Sequence, residues 1–181
     1  MFVNPTYFDT HTHLHDQRFG PGLDAVIERA LAAGLTHMVA CGTEESDWQA
    51  VLDLARRRPC VVPMLGLHPW FIQEANPGWF GTLKRLVEGN PVGIGECGLD
   101  FALETFDRER QEAVFRRQLE LARYLDRPMS IHCRKAWERL VAILRDTGVP
   151  AAGAVIHAFS GSAEVAMELQ RMGLHLSFSC A

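Results

Sequence analysis

The chain has 181 residues, of which 48% are hydrophobic and 22% are charged. This composition is typical of a globular protein, and the length is sufficient for one substantial core. Eighteen basic and twenty-two acidic residues give a net charge of -4, which excludes the overall basic surface of a dedicated nucleic-acid-binding module. Any contact with phosphate must therefore be local.

The cysteines and the apolar segments indicate the cellular compartment. There are five cysteines, an odd number, and none of them forms a Cys-x-x-Cys pair. This usage favours reduced thiols over disulfides or a zinc knuckle. We recognise no signal peptide, and no apolar run approaches the ~18 residues that a membrane span requires. The sequence thus predicts a cytoplasmic protein with no membrane partner.

In chain order, short apolar strands alternate with amphipathic helices. The predicted strands cover 7–11, 36–41, 61–68, 92–97, 129–132, 153–157 and 174–180, and helices are predicted over 23–31, 47–57, 79–88, 136–145 and 162–172. A further long helix is expected to be capped by Asp107, while Ser46 and Gln49 have the spacing of a capping box. This alternation predicts a parallel sheet covered by helices, either a doubly wound sheet or a (β/α) barrel.

Six side chains suited to metal chemistry fall at or just after the carboxyl ends of predicted strands. They are His11, His13, His68, Glu96, His132 and His157. In an open sheet the outer ones would be spread along one edge, whereas a closed ring would gather them at the rim where barrel enzymes place their active sites. We therefore predict a TIM-type barrel.

The donor types point to a class of ion. One carboxylate among neutral imidazoles suits Zn, Mn, Fe or Ni better than Ca, and a carboxylate can bridge two ions. Two divalent ions held in this way would activate a water molecule for hydrolysis.

Several motifs resemble, in order, those of the TatD family of metal-dependent deoxyribonucleases. They are Phe8-Asp9-Thr10-His11-Thr12-His13-Leu14, Gly66-Leu67-His68-Pro69, Gly93-Ile94-Gly95-Glu96-Cys97-Gly98-Leu99-Asp100, Gln111 with Phe115 and Gln118-Leu119, Ile131-His132-Cys133-Arg134 and His157-Ala158-Phe159-Ser160-Gly161-Ser162. Each motif is weak alone, but the ordered set covers essentially the whole chain and is highly specific.

The resemblance implies a hydrolase with two divalent metal ions, Mg or a transition metal, that cleaves DNA phosphodiesters as a 3' to 5' exonuclease. His11 and His13 would bind one ion, Glu96 would bridge, and His132 with His157 would bind the other. His68 would act beside the metals on phosphate or a proton. The implied phosphate-binding residues are Arg134, Ser160, Gly161 and Ser162. Related barrels hydrolyse amides and esters with similar ligands, so an amidohydrolase-like activity stays open.

The chain departs from the family at its end. The family continues to an eighth strand with a Glu-Thr-Asp motif, whose aspartate completes the first metal site, whereas this sequence stops at Ala181. We expect a single domain over 1–181 with seven of eight strands, truncated relative to the family and weakened in catalysis. A gap between the first and seventh strands would invite a partner or a second copy of the chain. The chain could also be a fragment, a shortened relative, or a catalytically inactive binding subunit.

Four further residues are left with two interpretations. His15 is expected to be either a solvated loop residue or a neighbour of the metal ligands. Asp100 either orients a ligand or caps a loop, and Trp70 with Phe71 either stacks on a base or covers the barrel mouth.

Overall fold

A computed structural model describes residues 6–102, 105 and 107–179. The strands are β1 (Tyr7–Thr12), β2 (Leu35–Cys41), β3 (Val61–Leu65), β4 (Gly93–Asp100), β5 (Met129–Arg134), β6 (Ala154–His157) and β7 (Leu174–Leu176). The helices are α1 (Leu23–Ala32), α2 (Trp48–Arg57), α3 (Trp79–Gly89), α4 (Arg108–Leu125), α5 (Trp137–Thr147) and α6 (Ala163–Arg171). Strands and helices therefore alternate, as predicted.

The seven strands form one parallel sheet in the order of the sequence, curled like part of a barrel wall. A doubly wound sheet would reverse its strand order at a switch point, whereas a (β/α) barrel adds each strand beside the one before it. The sequential order thus confirms the barrel-type α/β fold. It also places every strand's carboxyl end at the same rim.

The core lies between the sheet and its helices, and β4 is its centre. All eight residues of β4 are buried, whereas β1 has no buried residue. Among the described residues, β1 and β7 are the two outer strands and do not pair with each other. Tyr7, Phe8 and Phe178 are more than half exposed at this open edge. The predicted gap between the first and seventh strands is therefore present.

The N-termini of two helices show how local side chains affect where a helix begins. The Asp107 carboxylate accepts a hydrogen bond from the Arg110 N–H and begins α4, as predicted. The capping box predicted at Ser46 is wrong, since α2 follows Asp47 and has no side-chain cap. The Asp47 carboxylate instead accepts hydrogen bonds of 2.8 Å from the N–H and the hydroxyl of Thr43.

Five strand ends differ from the prediction, those of β1 and β5 by only one and two residues. The third strand stops at Leu65 rather than at residue 68, and β4 continues to Asp100 rather than stopping at residue 97. The seventh strand ends at Leu176, the last residue of β7 that is paired with β6, and its predicted last residue, 180, lies outside the described part of the chain. None of the helices in the described segments has the length and apolarity to cross a bilayer.

Candidate metal centre

The six predicted site residues do converge at the carboxyl rim. His11 lies on β1, Glu96 on β4, His132 on β5 and His157 at the end of β6. His13 directly follows β1, and His68 lies on the loop after β3. Parallel neighbours in register, such as His132 and His157 on β5 and β6, bring these side chains together. The convergence follows from strand direction alone.

Glu96 is the centre of the cluster, with a side chain that is 5% exposed. Its Oε2 lies 3.2 Å from His11 Nε2 and 3.3 Å from His13 Nε2. Its Oε1 lies 3.2 Å from His132 Nδ1 and 3.5 Å from His68 Nε2. Burial alone would raise the pKa of Glu96, but hydrogen bonds from these four imidazoles hold that pKa well below its usual range. The carboxylate is therefore ionised, with each oxygen facing two histidines.

Three of the histidines have a hydrogen-bonding partner at the ring nitrogen that faces away from Glu96, called here the outer nitrogen. His11 Nδ1 is 2.8 Å from the Ser130 hydroxyl, and His13 Nδ1 is 2.9 Å from the Cys41 carbonyl oxygen. His132 Nε2 is 3.1 Å from Asp100 Oδ2. A carbonyl or carboxylate only accepts, so the outer nitrogens of His13 and His132 carry hydrogen. Such partners fix the ring orientation of metal-binding histidines.

His13 and His132 thus face an acceptor at both ring nitrogens, with Glu96 on the inner side. A neutral imidazole has one N–H and cannot satisfy both acceptors. Hydrogen bonding to Glu96 raises the pKa of His13. For His132, burial lowers the pKa, but Glu96 and Asp100 outweigh it and the net shift is upward. Both rings require positive charge on the Glu96 side, from a proton or a metal cation.

In the described part of the chain, His157 has a buried ring nitrogen that makes no hydrogen bond. Its ring stacks on His11 with centroids 3.5 Å apart, and burial together with the charge of His11 lowers the pKa of His157 to about 4. Its Nδ1 is buried, and no hydrogen-bond partner for it exists among the residues that the structure describes. Burial also lowers the pKa of His68. Neutral imidazoles are the form that binds a metal.

The donor atoms form two groups that share Glu96. One group is His11, Glu96 and His157, and the other is His68, Glu96 and His132; within each, the donor atoms lie within 4.8 Å of one another. This nitrogen and carboxylate set fits Zn, Mn, Fe or Ni. The family resemblance instead implies a pairing of His157 with His132 and leaves His68 outside the ligands, so the partition between two ions stays a prediction.

Three comparisons place this arrangement among known proteins. The family described as TatD related DNase matches residues 8–181. The chain belongs to this family. It is 34% identical over 172 residues to the uncharacterized metal-dependent hydrolase YabD of Bacillus subtilis, covering 94% of this chain and 68% of that protein. It is 39% identical over 159 residues to the 3'-5' ssDNA/RNA exonuclease TatD of Erwinia billingiae, covering 87% of this chain and 61% of that protein.

Solved structures agree with the TatD assignment. The crystal structure of YJJV, a TatD homolog from Escherichia coli K12, superposes with a TM-score of 0.89 at 31% identity. It covers 94% of this chain and 66% of that one. The Entamoeba histolytica hydrolase of the TatD family superposes with a TM-score of 0.86 at 26% identity, covering 98% of this chain and 66% of that one. The chain thus spans about two thirds of the length of these TatD relatives.

The main cavity of this TatD-family chain opens directly onto the cluster. Its volume is about 650 Å³, and Glu96, His68, His132 and His157 lie in its wall. Trp70 and Phe71 line it, as do His15 and Asp47. The cavity is much larger than a metal ion, so it leaves room for part of a substrate.

The predicted phosphate-binding residues are not in the lining of this cavity, which includes none of Arg134, Ser160, Gly161 and Ser162. Arg134 ends β5 with an exposed side chain, and its carbonyl oxygen accepts from the Phe101 N–H. The Ser162 hydroxyl accepts from the Val165 N–H and begins α6. Their phosphate-binding role stays a prediction, and Ser162 has a structural role in addition.

One residue beside the ligands, Ser130, was not predicted from the sequence, and two others, His15 and Asp100, were left open. Ser130 holds His11, and its signal was its place two residues before His132, which puts both on one face of β5. His15, left open between solvent and the ligand region, is 9% exposed and lies 3.3 Å from Asp47. Asp100 fills both of its predicted roles, because its Oδ2 contacts His132 and its Oδ1 accepts from the Ala102 N–H.

Two buried glutamines of α4 hold the loops that carry the site. Gln111 accepts from the Asp100 N–H at 2.8 Å and donates to the Asp100 carbonyl at 3.0 Å. Gln118 makes the same pair of bonds with Leu67, the residue before His68, at 2.8 and 3.1 Å. Each glutamine therefore satisfies one buried backbone N–H and one buried backbone carbonyl.

Proposed function

We propose that this chain is a metal-dependent phosphodiesterase that removes nucleotides from the 3' ends of nucleic acid, with DNA as the predicted substrate. The observation that carries the proposal is the buried, ionised Glu96 with two imidazoles on each of its oxygens. The printed names of the relatives, a metal-dependent hydrolase and 3'-5' ssDNA/RNA exonucleases, support the same activity.

The proposed ligands are those predicted from the sequence: His11, His13, Glu96, His132 and His157. Glu96 would be shared between two divalent ions, chosen from Mg, Zn, Mn, Fe and Ni. When bound, such ions supply Lewis-acid activation of water and of the phosphoryl oxygen. Asp100, Ser130 and the Cys41 carbonyl keep the imidazoles in the orientation that the ions require.

The remaining catalytic role falls to His68. Its Nδ1 accepts from the Trp70 N–H, so that Nε2 carries the hydrogen and points to the Glu96 side of the cavity. We propose that this N–H donates a hydrogen bond to a phosphate oxygen of the substrate. Phosphate groups further along the substrate would be held by Arg134 and by the Ser160-Gly161-Ser162 turn at the start of α6.

A second copy of the chain is our proposed partner at the open edge. The edge lies between β1 and β7, which do not pair with each other in the described part of the chain, and a cavity of about 390 Å³ there reaches His11 and His157. Unpaired strand edges and exposed aromatic rings are stable in water only when short or covered. Light scattering would give twice the chain mass if a second copy covers this edge.

The predicted cytoplasmic location also stays part of the proposal, supported by buried free thiols such as Cys41, Cys97 and Cys133.

The function is tested with the purified chain and a single-stranded oligodeoxynucleotide labelled at its 5' end. We expect stepwise shortening from the 3' end with Mn²⁺ or Mg²⁺, no shortening in EDTA, and at least a hundredfold loss in Glu96→Gln. The matched control is Glu88→Gln, which removes an exposed carboxylate on α3 and should keep full activity.

Two outcomes decide between the candidate activities. Equal background in the wild-type chain and in Glu96→Gln would overturn the hydrolase proposal for this chain. Metal-dependent cleavage of p-nitrophenyl acetate without any cleavage of bis(p-nitrophenyl) phosphate would favour the amide or ester hydrolase instead.

A further inference from the structure

Trp70 presents an aromatic face to the main cavity beside the candidate metal centre. It lies in the short helical turn Pro69–Phe71 after β3, and it is 47% exposed. The same cavity is lined by Glu96 and His132. Its ring centroid lies 5.1 Å from that of His68 and 6.4 Å from that of His132. An apolar ring is therefore left partly in water next to the proposed reaction centre.

The exposed indole is held in one orientation. Its Nε1–H donates to Asp100 Oδ2 at 2.9 Å, and Asp100 is fully buried. The backbone N–H of Trp70 donates to His68 Nδ1 at 3.2 Å. A hydrogen bond to a buried carboxylate is stronger than one between neutral groups and limits rotation of the ring. The face of Trp70 is thus fixed before any ligand arrives, which lowers the entropic cost of binding against it.

The aromatic ring that follows Trp70 in the sequence is packed differently. Phe71 is only partly exposed and packs against the hydrophobic core. If Trp70 only covered the barrel mouth, its ring would pack against apolar side chains, as the ring of Phe71 does. The indole instead is anchored at its polar edge, leaving ring surface open to the cavity.

We infer that Trp70 is a stacking platform for an unpaired nucleobase of the substrate. This inference rests on the proposed function and adds to it the residue that would hold a base of the substrate. Stacking on an aromatic ring accepts every base, because each base has a π face. The chain should therefore bind single strands with little preference for sequence. The platform lies beside the metal centre, so the stacked base would be close to the phosphodiester that is cleaved.

The inference is tested by binding rather than by turnover. Fluorescence anisotropy in EDTA compares a labelled thymidine pentanucleotide with a pentanucleotide of the same backbone that has only abasic sites. We expect the wild-type chain to bind the thymidine strand about tenfold more tightly, as loss of a stacked base predicts. Trp70→Leu should remove this preference, and Trp70→Phe should keep most of it because a ring remains. Tyr124→Leu, at an exposed ring on α4 outside the cavity lining, should leave the preference unchanged.

Tryptophan fluorescence gives a second readout that does not depend on the leucine variant folding. The thymidine strand should quench the wild-type emission and leave the emission of Trp70→Phe unchanged. An undiminished preference in Trp70→Leu, an equal loss in both Trp70 variants, or the same quenching in Trp70→Phe would each overturn the platform. A preference for the thymidine strand without metal-dependent hydrolysis would contradict the proposed function and support the stacking platform. Metal-dependent hydrolysis without that preference would support the proposed function and contradict the stacking platform.

Discussion

The buried carboxylate of Asp100 contacts Nε2 of His132 at 3.1 Å, which leaves Nδ1 of the same ring facing Glu96 at 3.2 Å. An acceptor on the outer nitrogen of a histidine fixes its tautomer and makes the inner nitrogen a better metal donor. We therefore expect Asp100 to act on the proposed metal centre through His132 rather than by direct contact.

We predict that Asp100→Asn lowers the affinity for Mn²⁺ or Zn²⁺ by about 10- to 100-fold, because the neutral amide is a weaker acceptor for His132. Calorimetric titration of the purified chain measures this loss. Asp53→Asn, at an exposed position of α2, is the control and should bind metal like the wild type. Wild-type affinity in Asp100→Asn would refute the role of this carboxylate.

His68 and His132 share Glu96 Oε1 but are expected to differ in function. We predict that His68→Asn keeps the bound metal and lowers kcat by about 10²- to 10³-fold, the range for loss of one hydrogen-bond donor to a developing charge. His132→Asn should lose one ion per chain in elemental analysis. Loss of an ion in His68→Asn would instead make His68 a ligand, as the grouping of donor atoms also allows.

Gly98 allows β4 to approach β5 closely. Its φ is +148°, and a Cβ there would lie 1.9 Å from the carbonyl oxygen of His132. We predict that Gly98→Ala lowers the free energy of unfolding by about 3 kcal/mol or more and displaces His132. Gly81→Ala, in α3 with open space around it, should raise the same quantity by about 0.5–1 kcal/mol. Urea unfolding measures both, and similar values for the two variants would contradict the argument.

Gln118 links α4 to the loop that carries His68. Gln118→Ala leaves the buried N–H and carbonyl of Leu67 without their partner, at a cost of about 2–4 kcal/mol. We predict this loss in urea unfolding, together with a lower kcat because His68 follows Leu67 directly. Gln49→Ala, at an exposed position of α2, should change stability by less than ~0.5 kcal/mol. Wild-type kcat in Gln118→Ala would show that the glutamine supports the fold alone.

The convergence of the site was predictable because it depends on strand direction. Parallel strands end at one rim, so histidines and a glutamate at strand ends must come close, and the structure places His11 and His132 on the two oxygens of Glu96. Ser130 was within reach of the same reasoning, since it shares a face of β5 with His132.

Other features depend on long-range packing that local patterns do not encode. Gln118 meets Leu67 across 51 positions of the chain, and only the docking of α4 brings them together. Gly66, which follows the early end of β3, lies close to β4, since a Cβ on Gly66 would lie 2.8 Å from the Glu96 carbonyl oxygen. At α2, Asp47 rather than Ser46 precedes the helix, because its carboxylate bonds to Thr43.

Anomalous diffraction from a crystal of the chain grown with Mn²⁺ tests the central claim most directly. Two peaks next to the Glu96 carboxylate are predicted, with nitrogen atoms of His11, His13, His132 and His157 as neighbours, and Glu96→Gln should weaken or abolish both. Manganese peaks away from Glu96, or none in a crystal that contains the ion, would contradict the metal centre proposed for this chain.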